Sequence, residues 1–122
     1  MTIENSETYD FPNHTQGSTF KGVSFEIIIN DIPLDLTDAT IIMTLDTFNN
    51  SKSNVLILST ELENEKIVIL DPPTSGKFRI IPQLINIAGG LYKYDIKIIT
   101  GDSIVRIPIK GKWYISTVPS YE

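Results

Sequence analysis

Gly90-Leu91-Tyr92-Lys93-Tyr94-Asp95-Ile96-Lys97-Ile98-Ile99-Thr100 alternates along almost its whole length. Tyr92, Tyr94, Ile96 and Ile98 share one parity, and Lys93, Asp95 and Lys97 share the other. Successive side chains of an extended chain point to opposite faces. Aromatic and β-branched residues alternating with charges therefore mark a strand with one buried and one wet face. The other apolar segments are expected to be strands that cover the tyrosine–isoleucine face.

Downstream, Gly101-Asp102 reads as a tight hairpin into a strand over residues 103–115. There Val105, Ile107, Ile109, Gly111, Trp113 and Ile115 are expected inward, alternating with Arg106, Pro108, Lys110, Lys112 and Tyr114. Proline has no N–H to give to a ladder, so Pro108 is expected at an edge or a bulge. Upstream, residues 23–30 put Val23, Phe25, Ile27 and Ile29 on one face, and residues 39–46 do the same with Ala39, Ile41, Met43 and Leu45. Asn30-Asp31-Ile32-Pro33 and Asp35-Leu36-Thr37-Asp38 turn the chain, and Asp71-Pro72-Pro73-Thr74-Ser75-Gly76 breaks it. Residues 55–58 and 66–70 are short continuous apolar runs, Phe78 and Ile80 point inward from a further strand, and residues 82–89 are expected to hold a short helical turn.

About seven to nine short strands at this spacing predict an all-β fold, an immunoglobulin-like antiparallel β-sandwich. A small barrel is the alternative. Gly90-Leu91-Tyr92, opening the penultimate strand, resembles the tyrosine corner of immunoglobulin-like domains, in which the hydroxyl bonds upstream backbone. Residues 1–20 are expected to form an extended N-terminal arm with apolar anchors at Ile3, Tyr9, Phe11 and Phe20. Residues 21–118 are expected to form the sandwich domain.

The 122 residues are enough for one domain with one modest core, and 41% hydrophobic with 20% charged residues suit a folded chain. Ten basic and fifteen acidic residues give a formal charge of −5, and the cations are scattered singly, so nucleic acid is not an expected partner. The absence of cysteine removes disulfides, zinc–thiolate sites and thiol catalysis. The acidic start Met1-Thr2-Ile3-Glu4-Asn5-Ser6-Glu7 has no apolar core of a signal peptide, so synthesis in a host cytoplasm without export is expected. No apolar run reaches the ~20 residues of a membrane span, and no membrane role is expected.

Chemistry-bearing patterns are thin. His14 is read as a solvated arm residue without a positioned partner for base catalysis. Asp31, Asp35 and Asp38 crowd one loop but lack calcium-loop spacing, and turn formation accounts for them. Glu61, Glu63 and Glu65 read as strand-end solubility rather than a glycosidase pair. No glycine-rich phosphate loop is present. No catalytic residue, cofactor or metal is therefore assigned, and a hydrolase ranks last. Tyr92, Tyr94 and Trp113 fall on inward parity. Tyr9, Phe11, Tyr114 and Tyr121 remain as candidate surface contacts, joined by Ile3 on the arm and Ile42 on a nominally wet parity. Ile28, Ile42, Ile99 and Ile104, with the two-sided runs, fit either the ordinary apolar rims of a sandwich or a sheet partly covered by another chain.

Several landmarks in order resemble the immunoglobulin-like N-terminal domain of phage baseplate upper proteins. They are Gly17-Ser18-Thr19-Phe20, Asp35-Leu36-Thr37-Asp38-Ala39-Thr40-Ile41, Asp71 with Gly76-Lys77-Phe78, Gly90-Leu91-Tyr92-Lys93-Tyr94-Asp95-Ile96 and Gly111-Lys112-Trp113. The match spans roughly residues 9–116. Ser18 and Asp38 stand where the family pattern has Asp and Gly, and no fibre or receptor-binding domain is expected after this one. The resemblance implies a non-enzymatic virion structural protein of a bacteriophage: a tail, baseplate, neck or capsid-associated adaptor, decoration or fibre-anchoring subunit. It implies other virion proteins as partners, a homo-oligomer or a place in a large assembly, and residence in the virion. A carbohydrate-binding module for host-surface recognition is the alternative.

Overall fold

The computed structural model describes residues 1–61, 63 and 65–117. Among them are thirteen strands and a 3-10 turn at Pro73–Ser75. Two sheets face each other. The first runs β1 (Thr2–Glu4), β5 (Val23–Ile29), β10 (Lys77–Ile80), β9 (Ile67–Ile69), with β6 (Ile32–Pro33) also on β5. The second runs β2 (Glu7–Thr8), β13 (Val105–Ser116), β12 (Gly90–Ile99), β7 (Thr40–Thr47), β8 (Leu56–Ser59), with β3 (His14–Thr15) also on β13. β4 (Ser18–Phe20) and β11 (Gln83–Ile85) form a separate pair. The fold is an all-β sandwich.

Inward parity is kept where the sequence alternates. Tyr92, Tyr94, Ile96 and Ile98 are buried on β12, Ile41, Met43 and Leu45 on β7, and Phe25, Ile27, Phe78 and Ile80 on the opposing sheet. Each such side chain removed from water contributes about 1.5–3 kcal/mol, before the entropy of ordering the chain is subtracted. The Tyr92 hydroxyl donates to the Ala88 carbonyl at 2.5 Å, the contact expected of a tyrosine corner. Gly101-Asp102 does turn the hairpin: Ser103 N–H donates to the Thr100 carbonyl at 2.8 Å.

Four expectations are corrected. The ladder is not purely antiparallel, because β1 pairs parallel with β5, and β2 and β3 pair parallel with β13. All three belong to the N-terminal segment, which is threaded between the sheets rather than held apart as an arm. Residues 83–85 are strand, not helical turn, since β4 offers them a partner in register from Phe20 to Ser18. Finally, Val105 and Ile107 do not point inward. Between the pairs Ile96↔Ile109 and Ile98↔Arg106, β13 carries one more residue than β12, a bulge at Ile107-Pro108. An inserted residue reverses parity beyond it. Ile109, Trp113 and Ile115 are buried, while Val105 and Ile107 are 55% and 49% exposed.

Candidate functional site

Aromatic rings of the N-terminal segment bind the sheets together. Tyr9 meets Phe25 edge-on at 5.6 Å and Phe11 at 5.2 Å, and Phe11 lies 4.6 Å from Trp113 and 4.9 Å from Tyr94. Tyr9 N–H donates to the Lys110 carbonyl at 2.9 Å, Phe11 N–H to that of Lys112 at 3.0 Å, and the Tyr94 hydroxyl to the Tyr9 carbonyl. Gly111, opposite Tyr94 on β12, makes this crossing feasible: a Cβ there would sit 2.0 Å from the Tyr9 oxygen. Burial raises the Tyr94 pKa well above the usual tyrosine range, and the charges of Tyr9 and Asp10 add to it.

The candidate contact residues therefore divide. Ile3 and Phe11 are core residues, fully and almost fully buried, and are not available to a partner. The physical reason is that a strand at each sheet edge leaves apolar surface which the segment's own anchors fill. Tyr9 is half-buried in the aromatic seam, and Ile42 is half-buried on the outer side of β7. Tyr114 is exposed, directly across from exposed Leu91. Tyr121 lies outside the described residues.

The chemistry-bearing residues are likewise placed. His14 is not a solvated loop residue: it is half-buried on β3, with its ring 5.9 Å from Trp113 and 6.1 Å from Phe20. Its Nε2 lies 3.0 Å from the Ser18 carbonyl and 3.2 Å from the Ser18 hydroxyl. A carbonyl only accepts, so that nitrogen carries the proton, while the Ser18 hydroxyl donates to the Thr15 carbonyl at 2.7 Å. The pair is thus a hydrogen-bonded brace, with no lone pair of His14 aimed at the serine proton. Asp35 accepts from the Thr37 hydroxyl at 2.6 Å and the Thr37 N–H at 2.9 Å, and these bonds lower its pKa. Asp31 and Asp38 take left-handed backbone with φ of +66° and +57°. The three aspartates shape turns. Glu61, Glu63 and Glu65 are exposed. Among the described residues no group of three or more His, Asp and Glu side chains is gathered as a metal site.

What sequence parity missed is that the bulge turns Val105 and Ile107 outward, joining Ile104 of the hairpin in one exposed strip. Ile104, Val105 and Ile107 are 45%, 55% and 49% exposed. They lie upstream of the points where β2 and β3 join β13, which begin at Ile109. Pro108 gave the signal for an irregularity, but only the structure shows which side chains it redirects. On the outer face of the same sheet, Phe48, Leu91 and Tyr114 are also exposed. Between these two apolar ends lies an open groove of about 910 Å³, floored by β7, β12 and β13.

No protein-family model matches the chain, and no curated protein matches it in sequence. Among solved structures, the crystal structure of CopC from Methylosinus trichosporium OB3b is similar at a TM-score of 0.44 and 9% identity, covering 90% of this chain and 89% of that one.

Proposed function

We propose that this chain is a non-enzymatic assembly subunit of a bacteriophage particle, held by neighbouring virion proteins through the outward strip of β13. The observation that carries the proposal is the bulge at Ile107-Pro108, which turns Val105 and Ile107 outward next to Ile104, exposed in the adjoining hairpin. Apolar side chains clustered beside an unpaired strand segment favour burial against another chain. Pro108 and the bulge also guard this edge against uncontrolled strand addition, so the contact is made by side-chain packing. The N-terminal segment is used up in the chain's own core and offers no grip. The assignment to a phage particle rests on the ordered motifs, whose residues serve turns and close crossings here. Gly76 has φ of +73° and packs against the Ile27 carbonyl, Leu36 is buried, and Gly111 admits Tyr9. Asp38 occupies a left-handed position at the place where the family pattern has glycine.

The test is mass spectrometry of purified particles of the virus that encodes the chain, paired with a Val105→Lys, Ile107→Lys variant. The chain is expected in the particle, and the variant is expected to fold normally yet fail to incorporate. Absence of the wild-type chain, or full incorporation of the variant, contradicts the proposal.

A further inference from the structure

The groove on the outer face of the six-stranded sheet has a charge pattern that selects its ligand. In register across β7, β12 and β13, Asp46 faces Lys93, which faces Lys112; one step along, Asp95 faces Lys110. Ammonium and carboxylate groups thus share the groove floor, with Glu7 and Asp10 also at its lining, so neither sign is left without its opposite nearby. Among the described residues, the side chains of Asp95 and Lys110 make no hydrogen bond or ion pair, their backbones being held in the ladder. Each keeps donors or acceptors ready for a ligand. Phe48, 46% exposed, stands at the groove wall with the Lys112 ammonium 5.4 Å from its ring centre. An apolar ring held beside alternating donors and acceptors suits a molecule with C–H faces and many hydroxyls, each able to donate to a carboxylate and accept from an ammonium.

We infer that this groove binds a neutral oligosaccharide, with the open face of Phe48 as the stacking platform and Asp95 and Lys110 as the first hydroxyl partners. They are joined by the remaining donors and acceptors of Asp46, Lys93 and Lys112, which also hold Asn54 N–H, Asn50 and the Phe48 ring respectively. The groove meets the β13 strip at Ile107, but its ligand is read on the free chain, so the outcome is distinct from incorporation into a particle. A free anionic ligand is disfavoured because Asp46 and Asp95 lie among the lysines.

The experiment is an array of neutral malto-, cello-, galacto-, manno- and chito-oligosaccharides probed with the full chain, followed by calorimetric titration and amide-shift mapping with the best binder. A heparin oligosaccharide serves as the anionic comparison. Saturable binding is expected with a neutral sugar, with shifts centred on residues 48, 93 and 112. Affinity is expected to fall about tenfold in Phe48→Ala and in Asp95→Asn, both at surface positions that leave the fold intact by circular dichroism. No binding across the neutral array, binding of heparin alone, or affinity unchanged in both variants overturns the inference.

Discussion

Tyr9 and Gly111 show how one absent side chain organises the N-terminal third of the molecule. The Tyr9 carbonyl lies where a Gly111 Cβ would stand, and it accepts the Tyr94 hydroxyl inside the sandwich. Gly111→Ala pushes the segment off β13 and is expected to cost about 1–3 kcal/mol by overpacking, read as a lower urea midpoint. Tyr94→Phe leaves the ring in place and removes the bond, at an expected cost of about 1 kcal/mol. The same hydroxyl sets a pH dependence. Its folded pKa is raised above the unfolded value, so its stabilising effect is complete below the ordinary tyrosine range and is lost as pH rises beyond it. Thermal melts of the wild type are therefore expected to fall above about pH 10, and Tyr94→Phe to flatten that fall. A pH-independent difference between the two proteins contradicts this assignment.

At the scale of elements, short strands at the chain's start stabilise both sheets. β1 inserts Ile3 between layers, and Ile3→Ala is expected to cost about 2–5 kcal/mol in chemical unfolding, as for a core residue rather than an arm. An effect below about 0.5 kcal/mol, the usual surface value, contradicts that placement. In the β12–β13 hairpin, Ser103 has φ of +68°, so Ser103→Gly is expected to raise stability by up to about 1 kcal/mol in the same assay. The long strands were legible in the sequence because β12, β7, β5 and β10 each keep one wet and one dry face, and Tyr92 announced its corner. Ile3 and Phe11 were not legible as core, since isolated apolar residues in a polar segment carry no periodicity. β11 was missed because its partner β4 lies more than sixty residues away and neither strand alternates clearly. Tyr114 could be placed on the outer face from parity. The strip and the groove could not: the first depends on which residue the bulge inserts, the second on register across three strands.

For the whole molecule, the β13 strip is apolar and exposed although the chain has enough inward apolar residues to close its own core. Carrying such a strip in isolation favours association, and the proposed neighbour is a protein of a phage particle. Hydroxyl-radical footprinting read by mass spectrometry, on the free chain and on purified particles of the encoding virus, tests this most directly. The chain is expected in the particles, with Ile104, Val105 and Ile107, labelled in the free chain, protected there. Particles that lack the chain, or that leave these three residues as reactive as in free solution, would contradict the proposal.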